Sequence, residues 1–215
     1  MGVATTTAAV ARPRLGRNRR RAKRAVDGVI SLALLLLLSP LFCAIALGIR
    51  VSSRGPIFFR QRRLKENAEE FTLLKFRTMC NGADRMLDEV FLLNHAYGPL
   101  FKANGDPRIT PFGRFLRRSF LDELPQLVNV FRGEMSLVGP RPCLPSEALQ
   151  VRDQIDFRFA VPQGLTGPWQ VNGHHALTFD QQLQVEREYI EGWSLSLDFK
   201  ILLETVPLVF ARKGH

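Results

Sequence analysis

The stretch LDELPQLVNVFRGEMSLVGPRP, residues 121–142, contains the features around which we expect the chain to fold. It begins with two adjacent carboxylates, Asp122 and Glu123, and it ends in a turn where two prolines flank Arg141. Acidic and basic groups can therefore converge at one place. The segment predicts a helix first, then a short apolar run, and then a rigid basic turn.

The spacing predicts that the helix runs from Glu123 to about Arg132, with Asp122 as its N-cap and Gly133 at its end. Four apolar side chains are expected on its buried side: Leu124, Leu127, Val128 and Phe131. From local sequence alone, a capping role explains the acidic pair. The same geometry also suits chemistry, because a helix N-terminus stabilises an ionised carboxylate and attracts phosphate, and two carboxylates can hold Mg²⁺ beside substrate phosphates.

Composition argues against a nucleic-acid-binding protein and against one held together by disulfides or zinc. The formal net charge is +10, but residues 1–24 hold eight basic and no acidic side chains, so the rest of the chain carries only +2. We expect these residues to be a disordered basic arm that suits an anionic membrane surface. No basic face interleaved with aromatic residues follows it, so no nucleic acid is expected. Three scattered cysteines exclude a disulfide framework and match no zinc spacing.

Residues 25–50 form an almost continuously apolar segment. As a helix of about 25 residues it would reach roughly 37 Å, enough to cross a hydrocarbon core of about 30 Å. Ser39 and Pro40 predict a break near its middle, because proline removes a helical hydrogen bond and serine can cap the freed backbone. Both flanks are basic, so we predict a helix that re-enters one leaflet, with a kinked full span as the alternative.

After this segment the sequence predicts a β-hairpin, formed by residues 56–64 and 70–79. Lys75 and Arg77 alternate on its second strand, where they can hold a lipid phosphate or a nucleotide diphosphate. Helices are predicted over residues 82–96, 114–120, 179–191 and 195–210. The last is amphipathic and suits the membrane interface.

Two further segments carry candidate binding residues. Arg114, Arg117 and Arg118 cluster just before the acidic pair as an anion-site candidate. The loop PQGLTGPWQVNGHH, residues 162–175, is rich in glycine and proline and is expected to serve contact rather than core packing.

Seven motifs occur in a fixed order from about residue 25 to the C-terminus: SPLF, GPIFFRQRRL, LLKFRTM, DPRIT, LRRSFLDELPQLVNVFRGEMSLVGPRP, GLTGPWQVNG and REYIEGWSLSLDFKILLETV. Together they resemble the bacterial sugar transferase family. These are monotopic polyprenyl-phosphate phosphoglycosyltransferases that begin exopolysaccharide, O-antigen or glycoprotein glycan assembly. The family has a re-entrant helix broken at a Ser-Pro pair, which matches Ser39 and Pro40.

The resemblance implies that Asp122 attacks the β-phosphate of a UDP-sugar, releases UMP and passes the bound phosphosugar to undecaprenyl phosphate. Mg²⁺ would be held by Asp122 and Glu123, which makes these two the catalytic residues. Phosphate or substrate contact is assigned to Lys75, Arg77, Arg118, Arg141, Trp169 and Gln170. Glucose or galactose is the expected sugar. The family has aspartate where this chain has Glu186.

The resulting fold prediction is α+β and mainly helical: a monotopic membrane protein with a re-entrant N-terminal helix, a small β-hairpin and interfacial amphipathic helices. Residues 1–24 would be the basic arm, residues 25–50 the membrane helix, and residues 51–215 a cytosolic catalytic domain. The expected location is the cytoplasmic face of the bacterial plasma membrane, in contact with membrane lipids. The alternatives are a membrane-tethered nucleic-acid-binding protein and a scaffold without catalysis. The oligomeric state stays open.

Overall fold

The computed structural model describes residues 16–86, 106–172 and 177–210. Most of these residues are helical and two small sheets accompany them, which confirms the mainly helical α+β class. The helices are α1 Arg17–Leu37, α2 Ser39–Ser52, α3 Pro111–Arg118, α4 Gln126–Arg132, α5 Pro145–Gln150, α6 Arg152–Ile155, α7 Pro168–Val171, α8 Phe179–Glu191 and α9 Leu195–Phe210. The strands are β1 Phe58–Leu64, β2 Glu70–Phe76, β3 Ser136–Val138 and β4 Gly164–Thr166.

The apolar segment is broken where the sequence predicts. Helices α1 and α2 meet at Leu38 with a bend of 62°. The Ser39 hydroxyl donates to the carbonyl of Leu36 at 2.8 Å, and Pro40 lies in the first turn of α2, where its missing N–H costs no helical bond. Within the described residues, neither helix alone has the length and apolar composition to cross a membrane, whereas the bent pair together does, on length and composition only.

The expectation of a disordered arm is wrong for residues 17–24, which form the start of α1, while residues 1–15 lie outside the described part. Three polar residues of α1 are buried at a spacing of four: Lys23, Asp27 and Ser31. Lys23 donates to the Val138 carbonyl at 3.0 Å and pairs with Asp198 at 2.5 Å. Asp27 accepts from the Leu137 N–H at 3.1 Å. This polar face packs against β3 and α9, and these contacts order the helix.

The predicted hairpin is confirmed. Strands β1 and β2 pair antiparallel from Phe58 opposite Phe76 to Leu64 opposite Glu70. Successive side chains alternate between its two faces, so Leu73 points into the main core while the side chain of Leu74 points to the other face.

A second sheet brings distant segments together. Strands β3 and β4 pair in parallel, with Ser136 opposite Gly164 and Val138 opposite Thr166. A Cβ atom at Gly164 would lie 2.1 Å from the backbone nitrogen of Gly139, so only glycine permits this approach. The expectation that residues 162–175 form a contact loop is therefore wrong for its first part, which is a buried strand followed by α7.

The start of α4, the helix predicted to run from Glu123 to about Arg132, differs from the prediction. Residues Leu121–Glu123 form a turn of 3₁₀ helix, and α4 begins only at Gln126 with Pro125 as its N-cap. Asp122 is therefore not an N-cap. The turn is entered through Phe120, whose φ of 56° lies in the left-handed region. Phe131, expected to be buried, is 45% exposed.

The end of α4 matches the prediction, because Gly133 adopts a φ of 83° there. Arg24 of α1 donates to the last carbonyls of this helix, those of Val130 at 2.9 Å and Phe131 at 2.5 Å. A cation at a helix C-terminus is favoured by the helix dipole. The first and central helices are thus joined by charge as well as by packing.

The other predicted helices are partly testable. Helices α8 and α9 have the predicted bounds, and α3 begins three residues earlier than predicted because the Thr110 hydroxyl caps it at the Gly113 N–H. Of the helix predicted over residues 82–96, only the short 3₁₀ turn Ala83–Met86 is described, and residues 87–96 lie outside the described part.

The buried pair between Lys23 and Asp198 provides the first prediction. Lys23→Met leaves a buried carboxylate without its cation, and we expect the free energy of unfolding to fall by about 3–5 kcal/mol. Lys200→Met is the control, because Lys200 pairs with Glu204 at 3.8 Å on the surface with its side chain 70% exposed, and an exposed pair contributes less than about 1 kcal/mol. Denaturant unfolding in detergent, followed by tryptophan fluorescence, measures both. Equal losses in the two variants would contradict the prediction.

Candidate active site

Glu123 lies at the centre of a cluster of opposite charges. Its Oε1 atom is 2.5 Å from the Nζ of Lys75, which stands near the end of β2, and 3.9 Å from Nη2 of Arg141, in the turn after β3. All three side chains are largely buried, so these charges interact more strongly than they would in water. The structure thus brings together one predicted carboxylate and two predicted phosphate-binding cations.

Asp122, the neighbouring carboxylate, is only 8% exposed. Burial, and next the negative charge of Glu123, raise its pKa to about 6, while Lys75 and Arg117 act in the opposite direction. The expectation that cap geometry keeps Asp122 ionised is therefore wrong. Its cationic neighbours and a backbone hydrogen bond keep this side chain mostly ionised near neutral pH, against the cost of burial.

Arg117 is the member of the arginine cluster whose charge acts on Asp122. Its Nε donates to the Thr78 hydroxyl at 2.9 Å, and burial lowers its pKa. Arg118, the member chosen from the sequence, has an exposed side chain. Consecutive helical residues point about 100° apart, so only one of the two can face the turn that holds Asp122.

Arg77 and Lys75, which the sequence placed together as phosphate-binding candidates, contact different parts of the structure. The Arg77 guanidinium turns towards the end of α2, where Nη2 donates to the carbonyl of Ser53 at 2.7 Å and to its hydroxyl at 2.9 Å. A Cβ atom at Gly55 would clash with this guanidinium, which shows how closely the chain passes. Arg77 therefore joins the hairpin to α2, whereas Lys75 serves the carboxylate pair.

Trp169 contacts Arg141, and Gln170 is its neighbour in α7. The Arg141 guanidinium stands 5.7 Å from the centre of the Trp169 ring, a distance typical of cation–π contact. Both Trp169 and Gln170 are buried in α7. They therefore do not form an exposed contact loop, and only Trp169 has a described contact with a residue of the cleft, Arg141. His174 and His175, at the end of that loop, lie outside the described residues.

A fully buried ion pair supports the turn that carries Arg141. Arg158 donates to the Arg141 carbonyl at 3.0 Å, and its Nε lies 2.7 Å from Oε2 of Glu186, which has no exposed surface. Burial raises the pKa of Glu186, and the charge of Arg158 opposes that effect. Glu186 thus acts on the site through Arg158 and the backbone. The sequence could not predict the contacts of Arg158 with Arg141 and Glu186, because these residues are far apart along the chain.

A shallow cleft opens at the cluster, and two of its lining residues were missed in the sequence: Arg63 and Gln126. Gln126 follows Glu123 by three residues, a spacing that could have placed both on one face. Arg63 lies on β1, where an alternating pattern could have separated it from exposed Arg62. Its long-range partner, the Pro142 carbonyl, was not visible from sequence.

The donor set at the carboxylate pair suits Mg²⁺. No group of three or more His, Cys, Asp or Glu side chains that could hold a metal occurs among the described residues. Mg²⁺ needs fewer, since it keeps several waters and binds one or two carboxylates together with substrate phosphates. Burial is the main cause of the raised pKa of Asp122 and the charge of Glu123 is the second, so a bound cation would favour the ionised carboxylate.

Comparison with known proteins gives consistent matches. The family described as bacterial sugar transferase matches residues 18–212. The chain is 39% identical to the exopolysaccharide production protein ExoY of Sinorhizobium fredii, over 89% of this chain and 87% of that protein. It is 36% identical to the undecaprenyl-phosphate galactose phosphotransferase of Salmonella typhimurium, over 92% of this chain and 42% of that protein.

It is also 38% identical to the UDP-glucose:undecaprenyl-phosphate glucose-1-phosphate transferase of Escherichia coli, over 89% of this chain and 41% of that protein. The chain therefore spans most of the length of ExoY and less than half of the length of the other two relatives.

The raised pKa of Asp122 makes a prediction about stability. A carboxyl whose pKa is higher in the folded state than in the unfolded state stabilises the fold at low pH. That stabilisation is lost as the pH rises from about 4 through about 6. Asp122→Asn removes the cost of ionisation, so we expect it to raise the free energy of unfolding by up to about 3 kcal/mol at pH 8 and by about half of that at pH 5.

Denaturant unfolding at the two pH values, without substrate and with EDTA, measures this difference. Asp153→Asn is the control, because Asp153 is exposed on α6. Asp122→Asn that destabilises the chain more at pH 8 than at pH 5 would contradict the predicted sign.

Proposed function

The chain belongs to the bacterial sugar transferase family, and we propose that it transfers a hexose 1-phosphate from a UDP-sugar to undecaprenyl phosphate, the first step of exopolysaccharide synthesis. Its enzyme class is that of the UDP-sugar:undecaprenyl-phosphate sugar-1-phosphate transferases, which its relatives' names state. The observation that carries the proposal is the buried Asp122 beside a cleft that holds Lys75 and Arg141. This pairing of a buried carboxylate with two cations in a cleft disfavours a nucleic-acid-binding protein and a scaffold, because neither needs a buried carboxylate.

In the proposed reaction an Oδ atom of Asp122 attacks the β-phosphorus of the UDP-sugar. The bond from this phosphorus to the oxygen bridging to the α-phosphate breaks, and UMP leaves with the electron pair. An oxygen of undecaprenyl phosphate then attacks the same phosphorus. That step breaks the bond to Asp122, regenerates the carboxylate and yields the sugar diphosphate lipid. Each step conserves the phosphosugar and needs no oxidant or reductant.

The electrostatics of the site support Asp122 as the nucleophile. With a pKa of about 6, the group is mostly ionised at neutral pH, yet burial deprives it of the water that would stabilise its charge. An anionic donor would repel a carboxylate. Lys75 and Arg141 offset this repulsion because they place positive charge where the phosphates would lie.

We extend the proposal to Mg²⁺, with Asp122 and Glu123 as its carboxylate ligands. The bound ion would neutralise charge on the donor diphosphate. Lys75 already occupies one oxygen of Glu123, at 2.5 Å. Glu123 would therefore orient Lys75 and bind the metal at the same time.

We further propose that α1 and α2 enter one leaflet and return, so that the catalytic residues stay on the cytoplasmic face. The 62° bend supports this arrangement, as do the basic residues at both ends of the pair. Large apolar side chains are exposed on these helices and on α9: Leu36, Leu37, Leu47, Val51, Phe199, Leu203 and Val206. Such side chains favour an apolar surrounding such as lipid.

Incubation of membranes that contain the protein with undecaprenyl phosphate, Mg²⁺ and each common UDP-sugar tests the function. We expect UMP release with UDP-glucose or UDP-galactose. Asp122→Asn is expected to abolish it without changing membrane insertion, because the amide is a poor nucleophile. No UMP release from any UDP-sugar would contradict the enzyme proposal, whereas retained activity in Asp122→Asn would exclude Asp122 as the nucleophile.

Removal of divalent cations tests the metal. EDTA is expected to stop UMP release, since the charge of the donor diphosphate would no longer be balanced, and excess Mg²⁺ is expected to restore it. Calorimetry with Mg²⁺ and UDP adds a readout that does not depend on turnover. The Glu123→Gln variant is expected to need at least about tenfold more Mg²⁺ for half-maximal binding, a factor that corresponds to about 1.4 kcal/mol. Full activity in EDTA would rule out the requirement.

A further inference from the structure

Arg63 has the features of a binding residue that neither the motifs nor the proposed chemistry assigns. It lies on β1 and lines the same cleft as Lys75, Glu123 and Arg141. Its side chain is only 14% exposed, although arginine is seldom buried unless it is paired. Its ion pair with Glu147 is long, at 3.6 Å, so its position in the cleft suits a further charged partner.

The partners of Arg63 within the described residues do not use all of its hydrogen-bond donors. Its Nε and Nη2 both donate to one oxygen of Gln61, at 3.1 and 2.8 Å, and Nη1 donates to the Pro142 carbonyl at 3.1 Å. The nearest carboxylate oxygen in an ion pair belongs to Glu147 and lies 3.6 Å from Nη1, beyond a good hydrogen bond. A guanidinium so arranged keeps N–H groups on Nη1 and Nη2 for a further acceptor.

A second guanidinium stands next to it. Arg141 follows β3, and the Pro142 carbonyl, which accepts from Arg63, belongs to the very next residue. Burial lowers the pKa of Arg63, and the positive charge of Arg141 lowers it further. Glu147 and Glu123 offset part of this repulsion, and an anion bound between the two guanidinium groups would reduce it further.

We propose that Arg63 and Arg141 together bind the phosphate of the leaving nucleoside monophosphate. The inference rests on the proposed function. Lys75 and Glu123 lie at the carboxylate side of the cleft, next to Asp122, where the β-phosphate must react. The Arg63 side of the cleft then receives the α-phosphate. Guanidinium groups suit this task because their planar donors match two phosphate oxygens at once.

Arg63 could also act only by holding the Pro142 carbonyl, and hence the turn that carries Arg141. The two roles differ in what they do to the ligand. A direct contact strengthens the binding of UMP but not that of uridine, which lacks the phosphate. Support of the turn alone would affect any ligand that needs the shape of the cleft, uridine included.

The chain offers a matched control in the neighbouring residue. Arg62 precedes Arg63 on the same strand and points to the opposite face, where it pairs with Glu70 at 2.8 Å with its side chain 79% exposed. Arg62→Gln and Arg63→Gln therefore make the same chemical change, one outside the cleft and one inside it. Glu147→Gln removes the nearby carboxylate and keeps the Arg63 guanidinium.

Ligand-observed NMR titration of the full chain in detergent with UMP and with uridine measures the binding without turnover. Loss of a charge-assisted hydrogen bond predicts that Arg63→Gln raises the dissociation constant of UMP by about 10- to 100-fold. The constant for uridine should change less than about twofold, Arg63→Lys should lie between Arg63→Gln and the unchanged chain, and Arg62→Gln and Glu147→Gln should bind UMP normally.

Equal weakening of UMP and uridine in Arg63→Gln would overturn the inference, because it would assign Arg63 to support of the turn. Unchanged UMP binding would overturn it as well. Failure of the proposed function has a different signature: the unchanged chain would release no UMP from any UDP-sugar. The two failures are therefore distinguishable.

Discussion

The buried ion pair between Lys23 and Asp198 joins the first helix to the last one, and it meets the strand that leads into the active site. Lys23 donates to the Val138 carbonyl, while the hydroxyl of Tyr189 and the indole of Trp193 donate to Asp198 at 2.7 and 3.2 Å. A pair removed from water needs such additional donors. Helix α1 is therefore part of the fold that carries the candidate active site as well as a candidate membrane segment, because it contacts the strand that precedes the Gly-Pro-Arg-Pro turn.

The candidate site holds several charged side chains close together, and their repulsion must be offset. Asp122 and Glu123 are adjacent and largely buried, so each makes the ionisation of the other more costly, and Lys75, Arg117 and Arg141 offset that cost. A proposed nucleophile with reduced solvation gains reactivity from the same burial that lowers stability. Arg158 and Glu186 then hold the Arg141 turn from behind.

Local patterns predicted the hairpin, the ends of α8 and α9, the break at Ser39 and the glycine that ends α4, because each depends on neighbours within a few residues. The same reasoning was wrong for Asp122, since Pro125 delays the helix and a 3₁₀ turn precedes it. It was also wrong for residues 17–24 and for the Trp169 segment. In both cases, contacts with distant parts of the chain order or bury residues that look polar or loop-like in isolation.

By itself, the sequence determined the mainly helical class, the family and the residue types of the site, because motif order and short-range periodicity are written along the chain. Tertiary structure alone decided which of these residues meet. It selected Arg117 beside Asp122, sent Arg77 to the end of α2 and brought Arg63 to Arg141. The physical reason is that strand pairing and burial act between residues far apart in sequence, and the charge that each group experiences depends on those neighbours.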